Sequence, residues 1–269
     1  MRLAQLVVTC CILIVPAATA TDQDAGGIDP EALIERILAT NELQCSHLED
    51  VTLSAEYVER EDKGDEGFRE KVRIVKEVYI KYFADTAWFT EEYLEYYKDG
   101  ELKSDEDMRK EAADHIKKQK KQETRNISYP MLRPFYPERR SLYNIDYAGV
   151  AEERIDDWVC HRFRVTATEP ADSLINGDYF FEAETFHLVR VDFSPSRLVK
   201  KLMFKLNELN MSVLYGPTAE GYWLPRRFDV QGKGKAALLF GVKFAGTEYY
   251  RSPVVNSGLD DSIFEVTHD

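Results

Sequence analysis

The sequence predicts a mainly β fold, and three observations carry that reading. Between Asp157 and Phe193 three strand patterns follow one another with short connections, which favours an antiparallel meander over a βαβ unit. The same alternation of apolar and polar residues recurs before and after this stretch, enough for nine or more strands. Against these strands only one segment, residues 30 to about 43, is convincingly amphipathic as a helix. A long sheet with one apolar face needs a cover. Helices this few do not fill it, so the sheet is expected to curl into a strongly curved antiparallel sheet or incomplete β-barrel.

The first twenty residues stand apart from that fold. Arg2 supplies a positive start, Leu6 to Val15 is apolar except for Thr9, and Ala18-Thr19-Ala20 has the A-x-A form of a cleavage site. A membrane span needs roughly 20 apolar residues, and this run is shorter. We therefore expect a cleaved signal peptide at 1–20, a flexible leader at 21–27 and a single domain over 28–269. The net charge of −13 argues against nucleic acid and anionic lipid surfaces as main partners. Past the leader only Cys45 and Cys160 remain. In an oxidising compartment their pairing would close a loop of about 100 residues and stabilise by up to roughly 4–5 kcal/mol. Cys160, however, alternates onto the face opposite Val159, Phe163 and Val165, so a disulfide and two separate thiols both stay open.

In chain order, Asp29-Pro30 starts the first helix, with Asp as N-cap and Pro at the first position. Leu33, Ile34, Ile37 and Leu38 form its apolar stripe. Val51, Leu53, Ala55 and Tyr57 mark the first strand, and the charged stretch 59–68 is expected to be a hairpin loop. Glu70 to Phe83 is the longest strand pattern, with Val72, Ile74, Val78, Ile80 and Tyr82 on one face. Trp88–Lys98 follows, then a hairpin at Asp99-Gly100. Ser104 and Asp107 have capping-box spacing at the head of a second helix, whose thin stripe is Met108, Ala112 and Ile116. Three prolines in 129–137 forbid regular structure there. That segment reads either as a loop across the core or as an exposed rim.

In the central stretch Glu169-Pro170 ends one strand, Asn176-Gly177 is expected to turn the chain, and Glu184-Thr185 turns it again. Leu198–Leu206, Met211–Tyr215, Tyr222–Val230 and Ala236–Phe244 complete the strands, with Gly232-Lys233-Gly234 expected as a turn. Asn256-Ser257-Gly258 makes a final turn, and Leu259, Ile263 and Phe264 pin the end of the chain.

No catalytic constellation emerges. His47, His115, His161, His187 and His268 lack metal-ligand spacing, and C-x-x-C, G-x-S-x-G, the P-loop and G-x-G-x-x-G do not occur. His161 and His187 fall on strands of one sheet as candidate neighbours, a placement more typical of core or surface filling than of ligation. We expect no enzyme, no metal and no cofactor.

Three motifs, Cys160-His161-Arg162-Phe163, Ile175-Asn176-Gly177-Asp178-Tyr179 and Leu188-Val189-Arg190-Val191-Asp192, begin a pattern by which the second half resembles the lipoprotein-carrier superfamily, LolA/LolB-like outer membrane lipoprotein-sorting proteins. They continue with Gly221-Tyr222-Trp223-Leu224-Pro225-Arg226 and with Val255 to Phe264. The resemblance implies a half-barrel covered by two or three helices, with an apolar cavity for acyl chains and no catalytic residues. On that footing Leu53, Tyr57, Ile74, Val78, Ile80, Phe163, Val165, Val191, Leu224, Phe228, Phe240 and Phe244 are the candidate cavity lining, and each also reads as ordinary core. The implied function is a monomeric periplasmic carrier of lipid or acylated lipoprotein, working with an inner-membrane transporter or an outer-membrane acceptor. The alternative is an envelope sensor or interaction module that binds a membrane protein through a rim such as Met131–Tyr136 and carries no lipid.

Overall fold

The structure, a computed structural model, describes residues 28–62, 64–83, 87–120, 131–198, 200–201, 204–236 and 240–265. The expected signal peptide and leader lie outside the described residues. Helix α1 (Pro30–Cys45) begins as its sequence dictates: the Asp29 carboxylate accepts from the Glu31 amide at 3.0 Å, and Pro30 opens the first turn. Leu33, Ile34 and Ile37 are buried on the sheet side.

Twelve strands form one antiparallel sheet: β1 (Asp50–Asp62), β2 (Phe68–Tyr82), β3 (Ala87–Lys98), β4 (Glu101–Leu102), β5 (Tyr143–Val150), β6 (Cys160–Ala167), β7 (Ile175–Glu182), β8 (Leu188–Pro195), β9 (Lys200–Lys201), β10 (Phe204–Pro217), β11 (Trp223–Ala236) and β12 (Phe240–Val255). The order is β4-β3-β2-β1-β12-β11-β10-β8-β7-β6-β5, with β9 paired to β10 off this path. The sheet is curved and does not close into a barrel. Register breaks such as those at Val75/Lys76, Leu206/Glu208 and Phe180/Phe181 bend individual strands. Its inner face and α1 share one buried apolar cluster. Helix α2 (Asp105–Lys120) packs on β3, and α3 (Pro137–Arg140) and α4 (Ser262–Glu265) are single turns.

Ser104 caps α2 as its spacing suggested: the Asp107 amide donates to Ser104 Oγ at 3.3 Å, and Ser104 Oγ donates to Asp107 Oδ2 at 2.9 Å. Met108 and Ala112 pack on the core, while the Ile116 side chain lies outside the described residues.

Several sequence expectations change. The loop at 59–68 is shorter, because β1 runs to Asp62 and β2 starts at Phe68. Strand β5 has no counterpart in the sequence reading, although Tyr143, Ile145 and Tyr147 turn inward in alternation. The stretch from Phe204 to Pro217 is one continuous strand rather than two. Asn176-Gly177 is no turn but lies inside β7, where Asn176 Oδ1 accepts from the Ala167 amide at 2.8 Å. Gly177 is needed there for close approach: a Cβ would sit 2.6 Å from the Asp192 carbonyl oxygen. Gly232-Lys233-Gly234 is likewise inside β11, and the Phe244 ring fills the place a side chain at Gly232 would take.

The final turn forms as expected and is tied to the start of the sheet. The Asp50 carboxylate, on a residue 1% exposed, accepts from the Ser257 amide and hydroxyl and from the Gly258 and Leu259 amides at 2.8–3.1 Å. Burial alone would raise the pKa of this carboxyl, but the hydrogen bonds from Leu259, Ser257 and Gly258 outweigh it and hold the value below the ordinary 3.8. A lowered folded-state pKa gives stability that is full above the ordinary value and is lost as pH falls through the folded one. Asp50→Asn is therefore expected to cost about 1–3 kcal/mol near neutrality. In urea titrations the gap between wild type and variant should narrow below roughly pH 4; a gap that stays constant into acid would rule out this account. Beyond the turn, Lys81 Nζ donates to the Leu259 carbonyl at 2.7 Å, and buried Phe264 meets the Trp88 ring at 5.8 Å.

Candidate functional site

The segment 131–136 settles on the first of its two readings. Met131, Leu132 and Phe135 are buried, so the expected exposed rim at Met131–Tyr136 is not there. A short 3-10 turn at Arg133–Phe135 drives Phe135 into the inner face of the sheet. Its ring makes edge contacts with Phe163, Tyr179 and Phe181 at centroid distances of 5.8, 5.1 and 5.5 Å. Phe135 thus plugs the concave side over β6 and β7.

Beside this plug a crevice opens between α1 and the sheet. It is narrow, a cavity of about 20 Å³ with room for roughly one water molecule. Ile37, Leu132, Phe181, Leu188 and Trp223 give it apolar walls, and Thr40, Asn41 and Gln44 bring polar groups from α1. Asn41 Nδ2 donates to the Tyr136 hydroxyl at 3.0 Å. Gln44 Oε1 is buried and has no hydrogen-bond partner among the described residues. At the crevice wall the His187 ring stacks on Trp223 at 5.1 Å with 4° between planes. Sequence reading missed the polar members, although Ile37, Asn41 and Gln44 continue one helical face at i+4 and i+3.

Of the twelve expected cavity positions, Leu53, Tyr57, Ile74, Val78, Ile80, Phe163, Val165, Val191, Leu224 and Phe228 all belong to the single buried cluster, none more than 3% exposed. Phe244 packs against that cluster, and Phe240 opens β12 opposite Ala236, its side chain outside the described residues. None of the eleven whose side chains are described lines the crevice. The ten are packed core.

A second buried site is charged. Lys76 lies among the inward positions of β2 and is 0% exposed. Its ammonium sits 2.5 Å from Glu91 Oε1 on β3 and 2.7 Å from Glu248 Oε1 on β12. His115 of α2 adds Nε2 at 3.7 Å from Glu91 Oε2. Burial pulls the lysine pKa down, but the Glu248 and Glu91 carboxylates outweigh it and hold it raised. The inner face is thus aromatic under α1 and charged under α2.

His161 and His187 take separate partners: His161 Nδ1 meets the Tyr147 hydroxyl at 3.0 Å, and His187 Nδ1 meets Thr185 Oγ1 at 2.9 Å. Burial lowers the His161 pKa. The disulfide left open in sequence is not formed: Cys45 and Cys160 are both free thiols. Cys160 keeps the alternation that sets it opposite Phe163 and Val165, yet it is buried at the start of β6. Burial pushes the Cys160 thiol up to about 11, so it is protonated at neutral pH. No group of three His, Cys, Asp or Glu that could hold a metal ion occurs among the described residues. Nor is any described helix long and apolar enough to cross a membrane.

No protein-family model and no curated protein matches the chain. Solved structures do. A DUF1329 family protein from Desulfovibrio piger matches at 12% identity and a TM-score of 0.45, over 88% of this chain and 98% of its own. A domain assigned as an outer membrane lipoprotein-sorting protein from Vibrio parahaemolyticus matches at 9% identity and 0.41, over 88% and 97%. A LolA superfamily protein from Nitrosomonas europaea matches at 10% identity and 0.32, over 88% and 98%. The chain is similar to these three over most of its length.

Proposed function

We propose that the chain is a non-catalytic periplasmic protein that binds acyl chains of lipids or lipoproteins between α1, the Phe135 plug and the inner face of the sheet, and carries them across the envelope. The observation that supports this most directly is the crevice. Apolar walls from α1, β7, β8 and β11 converge on it beside a cover held by side-chain packing and by single hydrogen bonds such as Asn41–Tyr136. Each methylene transferred from water into such a site gains about 0.8 kcal/mol, enough for a few carbons to offset displacing part of the cover. The twelve inner-face positions would then become lining as the cover opens. The sensor alternative has lost its expected rim to the core.

The test is mass spectrometry of organic extracts from protein purified out of its native envelope, beside an unrelated exported protein. Acylated molecules in near-stoichiometric amount are expected. Ile37→Trp, which overfills the crevice at about 1–3 kcal/mol in stability, should deplete them several-fold with the circular dichroism spectrum intact. A lipid-free wild-type extract would sink the proposal.

A further inference from the structure

The crevice under α1 is too narrow for a chain, yet one of the side chains that line it has a polar atom with nothing to bond. Gln44, in the last turn of α1, is 4% exposed, and its Oε1 finds no donor among the described residues. Leaving a buried carbonyl oxygen unmet is costly, so its place among largely apolar walls calls for a reason.

The donors around it are turned elsewhere. Thr40 Oγ1 donates to the Thr185 carbonyl at 3.2 Å, and Asn41 Nδ2 donates to the Tyr136 hydroxyl. Thr185 Oγ1 gives its single hydrogen to Glu182 Oε2 at 2.7 Å, so in its 2.9 Å contact with His187 Nδ1 it accepts. The neutral His187 ring therefore carries its hydrogen on Nδ1 and keeps a lone pair at Nε2. Gln44 and His187 thus bring acceptors to one crevice, and no acidic or basic side chain other than His187 lines it among the described residues.

Such walls suit a neutral donor. An ammonium would arrive without a counter-ion, and an ester or carboxylate would set oxygen against oxygen. We infer that the crevice reads the linkage of the cargo and that this linkage is an amide, its N–H donating to Gln44 Oε1 while the acyl chain runs past Leu132 and Phe181. The inference rests on the carrier reading above. In a trans amide the N–H and the carbonyl point opposite ways, so the carbonyl can face water on the open side of the crevice. A hydroxyl carries its lone pairs on the donating atom itself, against the acceptors of the wall.

Displacement of an apolar fluorescent probe from the full chain tests it, with N-methyldodecanamide, methyl dodecanoate and 1-dodecanol as competitors. The first two differ only in N–H against O, and burial without a partner would favour the ester. The amide is expected to bind about tenfold tighter than the ester, and tighter than the alcohol. Gln44→Met, close in volume and without the acceptor, should abolish that preference; the wild-type comparison stands by itself if the variant does not fold. An amide that binds wild type no better than either competitor overturns the inference and leaves the carrier reading standing, as does a preference that survives in folded Gln44→Met. Failure of all three to bind removes the carrier reading, and the inference with it.

Discussion

Lys76→Met is expected to lose about 3–5 kcal/mol of folding free energy at neutral pH, because it leaves buried carboxylates facing each other without their cation. Three strands converge on that ammonium: Lys76 comes from β2, Glu91 from β3, and Glu248 reaches it from β12 across β1. The raised lysine pKa makes the sign plain. The pair's contribution is full below the unfolded lysine value near 10.5 and is lost only above it, so the neutral range carries all of it. Replacing all three residues, as Lys76→Met/Glu91→Gln/Glu248→Gln, should recover most of the loss, since a buried ion pair is worth little over a neutral equivalent. Urea unfolding of the two variants decides it. A single variant within about 1 kcal/mol of wild type would mean that water reaches the carboxylates.

Phe135→Ala should cost about 3–5 kcal/mol through the cavity left among Phe163, Tyr179 and Phe181. The same variant should bind an apolar fluorescent probe more strongly than wild type does, since it vacates the concave face where the proposed acyl site lies. Thermal unfolding and probe titration read the two effects independently. A loss under about 1 kcal/mol would place the plug outside the cooperative core.

Much of this architecture is legible in the residues. Period-2 alternation marks the strands, and Asp29-Pro30 and Ser104 mark the helix starts, because those signals act within a few residues. The errors share a cause. A glycine kept for close packing, as at Gly177 and Gly232, has the same sequence signature as a glycine kept for a turn. Strand β5 escaped notice because the Asn144 and Asp146 on its outer face are poor strand formers, although Tyr143, Ile145 and Tyr147 keep the period of 2 on the inner face. Lys76 has the parity of Ile74 and Val78, yet only partners on distant strands make an inward lysine tolerable, and no local pattern announces them. The crevice depends on α1 crossing β7, β8 and β11, a convergence set by the fold as a whole.

The pairing of β1 with β12 has a kinetic side. Val51 meets Val255, a contact spanning about 200 residues, and the loop-closure entropy of such pairings slows folding. Until the last strand has been made, β1 and β11 both present long unsatisfied edges, which invite pairing with other chains. The N-terminal strands cannot finish early and wait. The sheet closes its middle seam last, so the chain stays open to aggregation until its C-terminal strand arrives.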